Sequence, residues 1–347
     1  MERMTRSDRI TLIVFLTALA LLVGYTLNAD AATPIGLQDD HVFLDERTLS
    51  RAEGLELIRP MGVKALRLNA TWGATNRGTD FRALDAAVDG ARRAGIAPQI
   101  TITGTPCYGA GPTELSERHH DPRRLKRFAH RVARHFRGRV ALYSIWNEPN
   151  HRCFLRARPE TYRKLYLAGR AGVRLAGHRA RVLFGEMCPC RHTDRWLARA
   201  ARGGVVADGL AHHPYSADTP GGLDTSGKQA YSINHLPRLQ RILRRSKNLR
   251  TPRGRPLPLY LTEFGWGHHA DQGERLLASR DLATAAGAKQ LVLYQLAFNE
   301  TPGAWNTGLV GARGCAFPAY RAFVPSAKMC DHAPPAVAPT IPYEEQR

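Results

Sequence analysis

Two glutamates occupy equivalent settings in this sequence. Glu148 lies in the stretch "LYSIWNEPN" and Glu263 lies in "PLYLTEFGW", and each follows a run of strand-forming residues. A pair of carboxylates can divide its work, because one that is held protonated acts as a general acid while an ionised one acts as a nucleophile or base. Hydrolysis of a glycosidic bond needs such a pair. A single glutamate at a strand end is more often a capping or surface group, so the hypothesis depends on whether the fold brings the two together.

The elements that must position these residues alternate regularly along the chain. Short aliphatic or β-branched runs alternate with longer Arg- and Ala-rich segments of helical period. The predicted strands are Ile35–Gln38, Ala65–Asn69, Ala97–Thr103, Ala141–Trp146, Val182–Gly185, Leu210–His213, Leu259–Glu263 and Leu291–Gln295. The predicted helices lie near Leu49–Arg59, Asp80–Ala94, Pro122–Phe136, Pro159–Ala176, Thr193–Arg202, Leu236–Arg245, Gln272–Ala286 and Pro318–Phe323.

Eight strands, each followed by a helix, predict an α/β fold of the (β/α)8 TIM barrel type, with residues 32–330 forming a single domain. A doubly wound open sheet is the alternative, but no GxGxxG segment follows the first predicted strand. In a barrel, the ends of strands four and seven both face the mouth at the carboxyl-terminal side, where active sites are built. The fold is therefore expected to bring Glu148 and Glu263 together.

The segments around the two glutamates resemble a known group of enzymes. "WNEPN" at Trp146–Asn150 and "LTEFGW" at Leu261–Trp266 are similar to the two signature segments of glycosidase clan A. That clan of retaining (β/α)8 glycoside hydrolases includes the cellulase-like family five and the xylosidase-like family thirty-nine. The resemblance extends over all eight predicted strands, and the Asn-Glu-Pro and Thr-Glu-Phe-Gly segments are its most specific part.

The resemblance implies a role for each matching residue. The glutamate after Asn on strand four is the general acid/base in the clan, which implies that role for Glu148. The glutamate that ends strand seven is the nucleophile, which implies that role for Glu263. The asparagine before the acid/base binds the sugar 2-hydroxyl, here Asn147. An arginine on strand two orients the nucleophile, here Arg67 in "ALRLNATW".

Further residues are expected to bind substrate. A His-x-Tyr segment at strand six lines the site in the clan, which implies site roles for His213 and Tyr215. The clan commonly has a tryptophan at the end of strand eight, whereas this sequence has Tyr294 there and Trp305 in the following loop. Trp305 and Trp266 are candidate platforms for a sugar ring. This departure leaves the identity of the glycan open, including glucan, mannan and xylan.

The N-terminus has the pattern of a targeting segment. Three arginines within residues 1–9 precede 18 uncharged residues, Ile10–Leu27, and Ala29 and Ala31 offer small residues for cleavage after Ala31. The apolar run is also just long enough to span a bilayer. We therefore predict that residues 1–31 are a signal peptide or an N-terminal membrane anchor, and that the protein is secreted or extracytoplasmic. The Pro-rich residues 331–347 are predicted to be a flexible tail.

The chain is strongly basic, with a formal net charge of +20. The basic residues are scattered rather than gathered in a stripe, and no groove-reading motif accompanies them, so a nucleic-acid partner is not expected. Biased composition is the simplest explanation, and a preference for acidic glycans or an anionic cell surface is the alternative. The expected partner is thus a carbohydrate substrate, with membrane contact only through an uncleaved N-terminal segment.

Six cysteines fit an exported chain, and an even number predicts disulfides. Cys315 and Cys330 are close enough in sequence to form one. Cys153 is expected to tether the loop after Glu148 to a neighbour such as Cys107 or Cys188. A zinc site at Cys188, Cys190 and His192 is a weaker alternative, because the spacing matches no standard zinc pattern.

Taken together, these patterns predict an exported retaining glycoside hydrolase that needs no cofactor and no metal ion. The alternative is a catalytically inactive barrel that binds carbohydrate at the cell surface. The presence of both glutamates favours the enzyme, because an inactive relative has commonly lost one of them.

Overall fold

Eight runs of buried, largely aliphatic residues close into a parallel barrel in the computed structural model, which describes residues 32–105, 113–177, 179–190, 192–216, 231–300 and 306–331. Neighbouring strands are consecutive in the chain, and the last pairs with the first. The strands are β1 (Ile35–Gln38), β2 (Ala65–Thr71), β3 (Ala97–Thr103), β4 (Leu142–Ile145), β5 (Arg181–Met187), β6 (Gly209–His212), β7 (Leu259–Phe264) and β8 (Leu291–Tyr294). The predicted (β/α)8 barrel is confirmed.

A helix follows each strand, as predicted. The helices are α1 (Arg51–Ile58), α2 (Arg82–Arg93), α3 (Pro122–His135), α4 (Pro159–Leu175), α5 (Thr193–Ala200), α6 (Leu236–Arg245), α7 (Gln272–Ala285) and α8 (Pro318–Arg321). Ser50 and Glu53 form a capping box at the start of α1, and a proline occupies the first turn of α3, where its missing N–H costs nothing.

The structure adds short elements that the sequence pattern did not predict. A four-residue helix, Asp40–Phe43, follows β1, and the 3-10 turns Thr113–Leu115 and Ile233–His235 lie in long connections. A two-stranded parallel pair, Val205–Val206 with Leu249–Arg250, lies outside the barrel. These elements are too short to show a periodicity in sequence.

Side chains from several strands pack against one another inside the barrel. A separate apolar cluster contains Leu142, Leu183, Ala211 and Tyr260, one from each of four successive strands. Polar residues in the interior pair with one another, since the buried side chains of Gln99 and Gln290 exchange hydrogen bonds of 2.6 and 2.9 Å. Groups at the carboxyl-terminal ends of the strands therefore lie above a layer of packed side chains.

Two strands are irregular near their carboxyl-terminal ends. The pairing register shifts by one residue between Gly185 and Met187 on β5, and again on β7 opposite Leu291–Leu293 of β8. Such bulges break the alternation of side chains along a strand and re-aim them, often beside active sites. Gly185 has a φ of 117°, and a Cβ there would lie 2.4 Å from the carbonyl oxygen of Ala211, so glycine is required.

Two disulfides lie wholly within the described residues. Cys315 pairs with Cys330, as predicted, and Cys188 pairs with Cys190. The second pairing corrects two alternatives. Cys188 is not the partner of Cys153. The two cysteines of the suggested zinc site are bonded to each other and therefore are not free thiolates that could bind zinc. Cys153 is itself disulfide-bonded, and Cys107 lies outside the described residues.

Several predictions concern residues that the structure does not describe. They include the N-terminal segment 1–31, residues 332–347 of the tail, and Trp305. Within the described part of the chain, every helix is too short or too polar to cross a bilayer. The signal peptide or anchor and the flexible tail stay predictions.

Candidate active site

The ends of β4 and β7 bring the two predicted catalytic glutamates together. A carboxylate oxygen of Glu148 and one of Glu263 lie within 4.8 Å of each other, and a ring nitrogen of His213 lies within the same distance of both. The Glu148 side chain is 3% exposed and that of Glu263 is 14% exposed. The pair is therefore nearly buried, and Glu263 is the more open of the two.

The loop that holds Glu148 has an unusual backbone. Trp146 has a φ of 71° and Glu148 a φ of 39°. Residues other than glycine rarely adopt such a backbone conformation, and they keep it only where the surrounding structure enforces it. The indole of Trp146 donates to the carbonyl oxygen of Phe154 at 2.9 Å. The side-chain amide of Asn150 donates to the carbonyl oxygen of Cys188 at 2.9 Å and accepts from the N–H of Cys188 at 3.0 Å. These bonds hold the chain on both sides of Glu148.

Both carboxylate oxygens of Glu263 accept hydrogen bonds. Arg67 donates to Oε2 from Nη1 at 2.9 Å, and the hydroxyl of Tyr215 donates to Oε1 at 2.9 Å. Burial raises the pKa of Tyr215 well above its usual range, so its hydroxyl keeps the proton that it donates. Two donors that converge on one carboxyl group fix its orientation at the mouth of the barrel.

Arg67 also binds residues on other strands. Its Nη2 donates to Oδ1 of Asn147 at 2.9 Å and to Oε2 of Glu186 at 3.0 Å. Its Nε donates to the hydroxyl of Thr101 at 3.0 Å, and Nη1 also contacts Gln38. Because the Asn147 carbonyl oxygen faces Arg67, the amide N–H groups of Asn147 are the ones that can donate to a substrate hydroxyl.

Glu186 is a third carboxylate at this end of the barrel, and the sequence analysis did not identify it. It is 0% exposed and accepts hydrogen bonds from Thr262 at 2.7 Å and from Arg67. Burial alone would raise its pKa, but the charge of Arg67 and the hydrogen bond and charge of His213 lower it to about 2. The signal was present, because "VLFGEM" also ends an apolar strand on a glutamate.

His213 lies between two carboxylates. Its Nδ1 is 2.9 Å from Oε1 of Glu148, and its Nε2 is 2.7 Å from Oε2 of Glu186. Burial alone would lower its pKa, but the charge of Glu263 and the hydrogen bonds to Glu148 and Glu186 raise it to about 9. The ring is therefore an imidazolium near neutral pH, with both N–H groups donating.

Glu148, His213 and Glu263 are close enough in space to hold a metal ion. An imidazolium has no lone pair for a metal, and both nitrogens of His213 already face carboxylates. The arrangement suits the transfer of protons better than the binding of a cation.

The remaining predicted residues lie at different distances from this cluster. Tyr294 ends β8, is half-buried, and is close enough to Tyr215 to raise that residue's pKa. Trp266 is turned toward α7, since its indole donates to the hydroxyl of Ser279 at 3.0 Å and its ring packs edge-on against Phe264. The structure thus brings Tyr294 to the cluster and shows Trp266 in packing contacts with α7.

No protein-family model matches the sequence, and no curated protein sequence matches it. Solved structures do match. A family 39 glycoside hydrolase from Bacteroides cellulosilyticus superposes with a TM-score of 0.64 at 21% identity, over 84% of this chain and 63% of that one. A family 5 enzyme from Streptomyces cattleya, solved with GlcNAc, has a TM-score of 0.59 at 16% identity, over 86% and 80% of the two chains.

An endo-β-1,4-glucanase from Xanthomonas axonopodis has a TM-score of 0.60 at 15% identity, and the match extends over 84% of this chain and 98% of that enzyme. These likenesses establish the fold. The enzymes from Bacteroides and Streptomyces belong to families 39 and 5, which the clan resembled by the sequence motifs includes. The chain spans less than two thirds of the family 39 enzyme from Bacteroides.

Proposed function

We propose that this protein is a retaining glycoside hydrolase that cleaves O-glycosidic bonds by double displacement, with Glu263 as nucleophile and Glu148 as acid/base. The main support is the separation of the two carboxylates, whose nearest oxygens are within 4.8 Å. Retaining enzymes place their carboxyl groups about 5–5.5 Å apart, whereas inverting enzymes need about 6.5–9.5 Å to admit a water molecule.

In the first step, Glu263 attacks the anomeric carbon of the sugar. A bond forms between a Glu263 oxygen and that carbon while the bond from the carbon to the leaving oxygen breaks. Glu148 gives its proton to the leaving oxygen. Arg67 and Tyr215 each bind one oxygen of Glu263 and hold the nucleophile in line with the bond that breaks. Their hydrogen bonds leave the protonation of the leaving group to Glu148.

In the second step, Glu148 is a carboxylate and acts as the base. It takes a proton from water, whose oxygen attacks the anomeric carbon and releases Glu263 with its electron pair. The imidazolium of His213, 2.9 Å from Glu148, favours the carboxylate form of Glu148 at this stage. The anomeric configuration is inverted twice and is therefore retained.

The substrate is proposed to be a polysaccharide or oligosaccharide. Asn147 donates its amide N–H to the hydroxyl beside the anomeric carbon, and Tyr294 at the end of β8 forms part of the wall. Trp305 and Trp266 stay candidate platforms from the sequence. The net charge of +20 makes an anionic glycan one class that a substrate panel must include.

Export is part of the proposal. The apolar segment Ile10–Leu27 and the disulfides Cys188–Cys190 and Cys315–Cys330 support it, because disulfides persist in oxidising compartments. Fractionation of cells that express the full chain, with the N-terminus of the mature protein sequenced, distinguishes a cleaved signal from a retained anchor.

The proposal is tested with a panel of aryl glycosides and polysaccharides, followed by azide rescue. Glu263→Gly is expected to abolish hydrolysis of an activated aryl glycoside, and added azide is expected to restore turnover with a glycosyl azide of the opposite anomeric configuration. Glu53→Gly is a matched control, because Glu53 lies on the surface in the capping box of α1.

Two outcomes contradict the proposal. Unchanged activity of the Glu263→Gly variant would remove Glu263 from the mechanism. A wild-type protein that binds glycans by calorimetry but hydrolyses none in the panel would favour the inactive carbohydrate-binding barrel.

A further inference from the structure

Five charged side chains form one contiguous cluster at the barrel mouth. The cations are Arg67 and His213, and the anions are Glu148, Glu186 and Glu263. Four of the five are at most 3% exposed, and Glu263 is 14% exposed. In such a poorly solvated place an uncompensated charge is costly, so the net charge of the cluster controls the protonation of each member.

The charges can be counted through the reaction, an argument that rests on the proposed function. Before the first step Glu148 is protonated, so Arg67 and His213 face the two anions Glu186 and Glu263. After it Glu148 is ionised and Glu263 is a neutral ester, so the same two cations face Glu148 and Glu186. The cluster is neutral in both states. Without Glu186 it would have an excess positive charge in both.

We propose that Glu186 is a buried counter-charge that keeps the active-site cluster neutral in both half-reactions and so sets the pH range in which Glu148 can serve as the acid. Glu186 is a positioning residue, because it is fully buried beneath Arg67 and His213 and acts through His213 on Glu148.

The local structure holds Glu186 in this place. The bulge on β5 and the φ of 52° at Glu186 turn its side chain toward the interior of the site. One oxygen, Oε2, accepts hydrogen bonds from Arg67 on β2, from His213 after β6 and from Thr262 on β7. Three donors from three strands stabilise the ionised form, in agreement with its low pKa.

The other titratable groups that face the cluster do not replace this charge. His151 and His212 are near Glu148, and burial lowers the pKa of each, so both are neutral near neutral pH. Tyr162 faces Glu186 and Tyr215 faces Glu263, and burial raises the pKa of each, so both keep their protons.

Asp40 is a further carboxylate whose charge acts on Arg67. Burial raises its pKa to about 6, although Asn69 and Arg67 lower it in part. Its hydrogen bonds come from Asn69, outside the five-residue cluster, and it loses its charge as the pH falls through about 6, where Glu186 stays ionised. Burial likewise raises the pKa of the neighbouring Asp39 to about 6. Asp39 accepts a hydrogen bond from the backbone N–H of Ala297 rather than from the cluster.

The test is the variant Glu186→Gln, which keeps the shape of the side chain and removes its charge. Removing a nearby anion lowers the pKa of the remaining carboxyl groups, so the alkaline limb of the pH profile of kcat/KM is expected to move to lower pH by about one unit or more. Thr262→Val is the matched control, because it removes one hydrogen bond to Glu186 and leaves the charge, and it is expected to move the limb much less. Glu186→Asp keeps the charge and is expected to keep the wild-type limb even if the rate falls.

A second readout does not depend on hydrolysis. NMR titration of labelled histidine is expected to show a lower pKa for His213 in Glu186→Gln than in the wild type. A variant that loses activity equally at every pH, with its limbs and the His213 titration unmoved, would overturn the proposal and leave Glu186 a structural residue. A wild type without hydrolytic activity would contradict the proposed function, while the His213 titration would still decide whether Glu186 is the counter-charge.

Discussion

Arg67 on β2 donates a hydrogen bond to Glu263 on β7 across the barrel mouth, at 2.9 Å. The arginine is 1% exposed and reaches the amide of Asn147 and the carboxylate of Glu186 with its other terminal nitrogen. One planar guanidinium thus fixes the relative positions of three side chains from three strands. Its fork of donors makes this possible, whereas the point charge of a lysine does not.

Arg67→Lys is therefore expected to damage the site although the charge is kept. The lost hydrogen bonds to charged partners should lower kcat/KM by roughly 100-fold, since each contributes about 1.5–3 kcal/mol. Steady-state kinetics on an aryl glycoside measures the effect. Arg82→Lys is the control, because Arg82 is 90% exposed and pairs with Asp80 at the surface. Activity of Arg67→Lys within twofold of wild type would contradict this role.

Glu148→Ala should affect substrates according to their leaving groups. A poor leaving group needs the proton of Glu148, so kcat/KM should fall by about 10²–10⁴-fold, whereas a good leaving group such as dinitrophenolate needs little help. The slope of log kcat/KM against leaving-group pKa measures the difference. Glu160→Ala is the control, since Glu160 forms a surface ion pair with Arg199. Equal losses for all leaving groups would exclude an acid role for Glu148.

The raised pKa of His213 predicts how stability depends on pH. Between its usual value of 6.5 and about 9, the folded protein binds a proton that the unfolded chain releases, so the free energy of unfolding should fall as pH rises through this window. His213→Gln should flatten this part of the curve. Urea denaturation from pH 6 to 10 provides the measurement. Asp39 and Asp40, whose pKa values are raised to about 6, add a fall of the same sign at the acid end, so His213→Gln and the wild type are compared above pH 7.

Gly185→Ala should destabilise the fold and displace Glu186. A Cβ at this position meets the carbonyl oxygen of Ala211 at 2.4 Å, and the φ of 117° is itself unfavourable for alanine. We expect a loss of about 2–4 kcal/mol in the free energy of unfolding. Gly254→Ala separates the two causes, because Gly254 has a φ of 72° and open space around it, and should cost about 1 kcal/mol. Equal losses for both variants would mean that the contact with Ala211 relaxes freely.

The sequence predicted the elements well because the signals for them are local. The bounds of β1 and β3 agree with the predicted ones, and the other strands differ by one or two residues at an end. Period-two and period-3.6 patterns, cap residues and first-turn prolines act within a few residues of the chain. Glu148 and Glu263 were identifiable for the same reason, since each stands in a short recognisable segment at a strand end.

Glu186 shows where local patterns fail. Its segment has the same form as the other two, but period-two alternation does not reveal that a bulge on β5 turns it into the site. The pairing of Cys188 with Cys190 rather than with Cys153 was equally undetermined, because spacing alone does not select among fifteen possible pairings.

The sequence by itself therefore determined the alternation of eight strands and eight helices and the two glutamates at the ends of β4 and β7. Only the tertiary structure decided that Arg67 joins both sides of the site, and that His213 lies between Glu148 and Glu186. The physical reason is that a strand end is encoded by its own residues. A buried ion cluster is instead decided by which side chains several strands, distant in sequence, bring within about 3 Å of one another.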